Sequence, residues 1–173
     1  MAYAIVRTDN MAGTDVRSLL VSVKYFVTDN SGDEPVDVET AIENGNVLKI
    51  GALLDGEREI YKGSAVAASD KLEDVVLIAS PEVMYDERKK NLDEYINEAG
   101  KICRGYHIHA GDCFSVTAEA LKNASPAVGQ VIELAAGTKL NNVSSATASS
   151  TVVGKIIAKD IVGSKEFFAI KVY

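Results

Sequence analysis

The chain has 173 residues, 47% of them hydrophobic and 25% charged, and carries a net charge of −7. That length builds one sizeable core or two small ones, and the acidic balance argues against a nucleic-acid-facing surface. No apolar run reaches the roughly 20 residues that span a bilayer, and Met1-Ala2-Tyr3-Ala4 opens no signal peptide, so a soluble protein made in the cytoplasm is expected. Its two cysteines are expected as free thiols.

Residues 1–18 show no clear period and read as an irregular arm with one short strand over 3–7. Ser18-Leu19-Leu20-Val21-Ser22-Val23-Lys24-Tyr25-Phe26-Val27 is rich in β-branched and aromatic residues and reads as a strand. Thr28-Asp29-Asn30-Ser31-Gly32-Asp33-Glu34-Pro35 collects turn formers and reads as a loop or linker. From Ile42 onward short strands alternate with glycine turns: Asn44-Gly45 before Val47-Leu48-Lys49-Ile50, and Asp55-Gly56 before Arg58-Glu59-Ile60-Tyr61. Val75-Val76-Leu77-Ile78-Ala79 is an apolar strand stopped by Ser80-Pro81, and this spacing argues for a small barrel or sandwich.

The charged stretch 86–100 fits a helix on the surface or against a neighbouring subunit, and equally an ordered excursion of mixed structure. Tyr85, Lys89, Leu92, Ile96 and Ala99 give a narrow apolar stripe at i, i+4, i+7, i+11, i+14, Asp86 and Lys90 pair at i, i+4, and Gly100 is the C′ residue. After the strand at residues 114–117, the cadence of short strands returns. Gly129-Gln130-Val131-Ile132-Glu133-Leu134 matches Gly45-Asn46-Val47-Leu48-Lys49-Ile50, and Val153-Gly154-Lys155-Ile156-Ile157-Ala158 matches Asp74-Val75-Val76-Leu77-Ile78-Ala79. A degenerate internal duplication is one reading; the general likeness of small β units is the other. The polar run 144–150 reads as a flexible or tightly turning surface loop. Residues 164–173 read as a strand after a Val162-Gly163-Ser164 turn.

Cys103, His107, His109 and Cys113 form a palindromic C-x3-H-x-H-x3-C pattern. On one continuous strand these odd-numbered residues share a face, and Cys2His2 is a tetrahedral zinc set. The spacing matches no familiar finger, however, and Gly111-Asp112 turns the chain before Cys113. His107-Ile108-His109 is similar to the opening of a cupin metal site, but Phe114 and Ser115 stand where a glutamate is wanted. The carboxylates at 86, 87, 93, 94 and 98 read as a solvated face rather than an acid–base pair. Glycines form neither G-x-G-x-x-G nor a P-loop. An enzyme is therefore not expected, nor a cofactor.

Leu77-Ile78-Ala79-Ser80-Pro81-Glu82-Val83-Met84-Tyr85-Asp86-Glu87-Arg88-Lys89-Lys90, with Gly105-Tyr106 and Gly111-Asp112-Cys113-Phe114-Ser115-Val116-Thr117, resembles small tailed-bacteriophage proteins encoded beside the major capsid protein, the head decoration or head-associated proteins. The likeness covers about residues 41–125. Residues 129–173 separately resemble the small open barrel of capsid-cementing proteins. The resemblance implies a virion structural protein on the outside of an icosahedral head, bound to the major capsid protein, often as trimers, with no catalytic residue to carry over.

The fold expected is mainly β, with one or two small β-barrel or β-tulip-like units, an inserted charged helical segment and an N-terminal arm. The divisions expected are 1–36 (arm and strand), 37–125 (β unit with the charged insertion) and 126–173 (C-terminal β unit). Two uses of the arm stay open: docking on the capsid by adding to a sheet edge, or swapping between subunits. A zinc-binding β-barrel using Cys103, His107, His109 and Cys113, and a tail or fibre component, are the alternatives.

Overall fold

The computed structural model describes residues 2–31, 34–86, 88–89 and 91–173. Among them twelve strands form: β1 (Val6–Asn10), β2 (Leu20–Asp29), β3 (Val36–Glu39), β4 (Val47–Leu53), β5 (Ile60–Ser64), β6 (Val75–Ile78), β7 (Cys103–His107), β8 (Cys113–Val116), β9 (Val131–Glu133), β10 (Asn141–Val143), β11 (Val152–Val162) and β12 (Lys165–Val172). Strand accounts for 45% of the structure and helix for 10%, so the protein is mainly β.

β2, β5, β4, β6 and β7 close into a five-stranded barrel, with β3 attached to β2. β2 makes closure possible by serving three partners along its length. It runs antiparallel to β7 over Leu20 to Val23, parallel to β5 over Ser22 to Tyr25, and antiparallel to β3 over Phe26 to Asp29. The second sheet, β1-β8-β12-β11-β9-β10, is antiparallel throughout.

The two sheets share one core. Phe114, Ile132, Leu140, Ile156 and Phe168 from the second sheet and its connections meet Val47, Val75, Leu77 and Tyr106 from the barrel. A smaller cluster of Val23, Ile42, Leu48, Val76, Ile78 and Cys103 fills the barrel interior. β6 stands between them: Val75 and Leu77 face the shared core, Val76 and Ile78 the barrel interior, and all four are fully buried. Burial on both faces is why this strand reads as an unbroken apolar run instead of an alternation.

The barrel interior is narrow enough to require glycine. A Cβ at Gly63 would lie 2.6 Å from Val23 Cγ2 and 2.9 Å from Leu48 Cδ1; one at Gly105 would lie 2.8 Å from Val76 Cγ2.

Three strands begin with the same device. The N–H of Gly45 donates to Ile78 O, and the N–H of Ile78 donates to Asn46 O. Gly111-Asp112 repeats this against Val172, and Gly129-Gln130 against Ile156. Each glycine has φ between 83° and 100°, so each pair is a bulge in which a left-handed glycine and its successor oppose one residue. The likeness between residues 45–50 and 129–134 therefore has a structural basis. Its third occurrence at Gly111 lies outside the proposed repeat, so this bulge does not by itself mark a duplication.

Two expectations are overturned. Residues 1–18 are not a free arm. β1 pairs with β8 through Val6 opposite Val116 and Arg7 opposite Ser115, and Ala4, Ile5, Val6 and Met11 are buried. The Ile5 N–H donates to Thr117 Oγ1 at 3.2 Å, and Ala12 N–H to Asp112 Oδ1 at 2.8 Å. β1 is thus the edge strand of its own sheet rather than a loose segment that could reach away from the body.

The described residues of 86–100 do not form the expected helix. Its described residues contain a single 3-10 turn, Leu92–Glu94, and Tyr85 and Leu92 of the expected stripe are exposed. Asn97 explains the outcome. Its amide donates to Ile42 O and Asn44 Oδ1, both at 3.0 Å, and its backbone exchanges two hydrogen bonds with Ile42. A narrow stripe buries little apolar area, so these buried hydrogen bonds decide the conformation. The Asp86–Lys90 pairing lies outside the described residues.

Strand pairing also crosses the expected divisions. The second sheet draws β1 from 1–36, β8 from 37–125 and β9 to β12 from 126–173, while β3 straddles the first boundary.

Candidate functional site

The Cys/His block runs from β7 to β8, and these strands belong to different sheets. The chain leaves the barrel after His107, turns at Gly111 and enters the second sheet at Cys113. The palindrome therefore does not share one face. Cys103 lies in the barrel interior, 2% exposed, where burial pushes its thiol up to about 11. Cys113 sits on β8 opposite Lys171, its thiol also raised by burial and by Asp9. His107 is half-buried and its pKa is lowered, by burial first and then by His109; the His109 side chain is exposed. Among the described residues no three His, Cys, Asp or Glu side chains group to hold a metal ion.

Asp112 gives this block its order instead. One carboxylate oxygen accepts the Ala12 N–H and the other the His109 N–H, each at 2.8 Å. The crossing between sheets is thereby tied to the N-terminal segment.

The acidic stretch is likewise committed. Asp86 takes two hydrogen bonds from the Arg88 guanidinium, Asp93 pairs with Lys165 at 2.6 Å, and Glu98 pairs with Lys101 at 3.0 Å. Glu94 accepts the Asn91 N–H, and Glu87 lies outside the described residues.

Sequence reasoning missed one buried carboxylate, Glu133, 1% exposed. Burial pushes its carboxyl up, but the Thr147 N–H and hydroxyl and the Asn141 amide, all at 2.9 Å, outweigh this and hold it below the usual range. Its role is to pin the loop 144–150 onto β9 and β10. That loop is a tied turn.

Two surface features remain. The first is a groove of about 550 Å³ on the outer face of the barrel, lined by Arg17, Leu20, Ser22, Arg58, Pro81, Ile102 and Arg104 among others. Arg104, Ser22 and Ile60 stand abreast on β7, β2 and β5. Since Val21 and Val23 pack toward the barrel interior, the pleat turns Ser22 outward. The second is the β11–β12 hairpin, whose turn is Gly163-Ser164 and whose Ile157, Ile161 and Val162 are exposed.

No protein-family model, curated protein or solved structure matches this chain.

The functional reading therefore rests on surface and chemistry. Residues 17, 58 and 104 share no motif, so no local signal marks the groove in the sequence. The hairpin was legible as strands, but its exposed tip was not. Among the described residues no helix is long and apolar enough to cross a membrane.

Proposed function

We propose that this protein is a structural component of a tailed-phage virion that decorates or stabilises the head by binding the major capsid protein from outside. The observation that carries this reading is the β11–β12 hairpin. It presents Ile161 at 71% and Val162 at 52% exposure beyond a body whose barrel and sheet share one core. Exposed β-branched side chains at the end of a braced hairpin suit a contact that repeats on a lattice, where weak contacts add through effective concentration. The stretches that resemble head-associated proteins support the same reading. They begin at the end of β6 and continue into the segment after it, then fall on β7 and on the Gly111 bulge with β8, while β9 to β12 lie in the stretch that separately resembles capsid-cementing proteins. Self-association, as trimers, and a location on the capsid exterior after synthesis in the host cytoplasm belong to this proposal. A chain of net charge −7 fits a protein partner rather than packaged DNA.

The test is co-sedimentation with capsids assembled from the major capsid protein of the same phage. Saturable binding at a fixed ratio per capsomer is expected, weakened by Ile161→Asp with Val162→Asp in a protein that still unfolds at the wild-type temperature. Absence of binding at any concentration overturns the proposal. Removing residues 1–18 does not test it, because that deletion removes β1.

A further inference from the structure

The chain contains five arginines. Arg7 pairs with Asp9 at 2.9 Å and Arg88 with Asp86 at 3.0 Å. The other three, Arg17, Arg58 and Arg104, have no ion-pair or side-chain hydrogen-bond partner among the described residues, and all three line the groove on the outer face of the barrel. A chain with seven more acidic than basic residues thus leaves three guanidiniums in one concavity with no ion pair among the described residues.

We propose that this groove binds an extended acidic segment of a partner polypeptide, with Arg17, Arg58 and Arg104 taking its carboxylates. The guanidinium is a planar fork that accepts a carboxylate through two parallel N–H···O bonds. The backbone beneath each fork is fixed. The Arg104 N–H donates to Ser80 Oγ, and its carbonyl accepts the Ala79 N–H, both at 3.0 Å. Arg17 opens the 3-10 turn Arg17–Leu19, and Arg58 lies in the β4–β5 connection, where Leu54 N–H donates to Ile60 O. Positions fixed before binding lower the ordering cost of association.

The rest of the lining selects a polypeptide. Leu20, Pro81 and Ile102 offer apolar contact between the cations, and Ile102 is 52% exposed. Glu59, on the same wall, repels a continuous phosphate backbone but tolerates a peptide whose charges are spaced. The net charge of −7 acts in the same direction against nucleic acid. This inference stands apart from the capsid reading, and its test contains no capsid.

The experiment is fluorescence anisotropy on the full chain with three labelled probes: a peptide of alternating Glu and Ile, the same peptide with Lys for Glu, and a single-stranded DNA oligonucleotide. Saturable, salt-sensitive binding of the Glu–Ile peptide alone is expected. R17A/R58A/R104A is expected to weaken it by about tenfold or more, and R88A to leave it unchanged. Thermal unfolding at the wild-type temperature shows that the triple variant is folded. If it is not, R17K/R58K/R104K keeps the charge and removes the forks, and a several-fold loss is expected from it. Unchanged affinity in the variants, no saturable binding of the Glu–Ile peptide by the wild type, or tighter binding of the oligonucleotide overturns the proposal.

Discussion

Gly63→Ala tests how the barrel interior is filled. The new methyl would sit 2.6 Å from Val23 Cγ2, 2.9 Å from Leu48 Cδ1 and 3.2 Å from the Lys24 carbonyl oxygen. Val23 and Leu48 are both fully buried, and a β-branched valine has little rotamer freedom with which to yield. Overpacking of this kind costs about 1–3 kcal/mol, while replacing a strand glycine by alanine returns about 0.5–1 kcal/mol. Taken at mid-range these give a net loss of about 1 kcal/mol, a fall in Tm of about 2–4 °C for a chain of this size. Urea unfolding followed by far-UV circular dichroism measures it, with an unchanged m-value showing that only the folded state is strained. The decisive arm is Gly63→Ala in a Val23→Ala background. Val23→Ala alone leaves a cavity; the added methyl then occupies part of the space vacated. The double variant is expected to be more stable than the sum of the singles by about 1 kcal/mol or more. Strict additivity, or a Gly63→Ala protein as stable as wild type, refutes the steric argument.

Deletion of residues 2–12 removes β1 and takes Ala4, Val6 and Met11 from the shared core, and loss of cooperative unfolding is expected; a retained sharp transition counts against the docked N-terminus. Glu133 has a lowered folded-state pKa, so the stability it contributes is present above its unfolded value of about 4.3 and is lost as pH falls from there through the folded value. Glu133→Gln leaves donors of Thr147 and Asn141 poorly matched and is expected to cost about 1–3 kcal/mol near neutrality, with a flatter decline of stability in acid. An acid profile parallel to wild type argues against this. Cys103, buried and raised to about 11, is expected to resist a thiol-exchange reagent at about pH 8 until the chain unfolds, while Cys113 reacts in the native protein. Mass spectrometry of the quenched reaction identifies the labelled residue, and early labelling of Cys103 contradicts the placement.

What was legible in the sequence was local. Val75 to Ile78 announced an apolar strand, Gly163-Ser164 a turn, and the glycines at 45, 111 and 129 turns before strands. What was not legible depended on partners far along the chain. The short strand expected over 3–7 forms as Val6–Asn10, but Val6 and Arg7 pair with Val116 and Ser115, and nothing nearby in the chain marked that docking. Helical spacing from Tyr85 to Ala99 was real as a pattern, yet Asn97 finds its partners at Ile42 and Asn44. The Cys/His palindrome assumed one strand where the chain changes sheets. Arg17, Arg58 and Arg104 meet only because β2, β5 and β7 are neighbours.

The placement of the barrel strands, residues 20–107, between β1 and β8 in the chain fixes an order of events during folding. β2 to β7 can close as soon as β7 is made, whereas Ile5 waits for Thr117, 112 residues later. Contacts of such sequence separation form slowly, because a long loop must be closed before they return any energy. A barrel that closed before the second sheet was made would leave Val47, Val75, Leu77 and Tyr106 exposed to water until Phe114, Ile156 and Phe168 arrived. In such a state that apolar face and the unpaired β1 would be open to aggregation, and a chaperone that shielded them would raise the yield of native protein without altering its final stability.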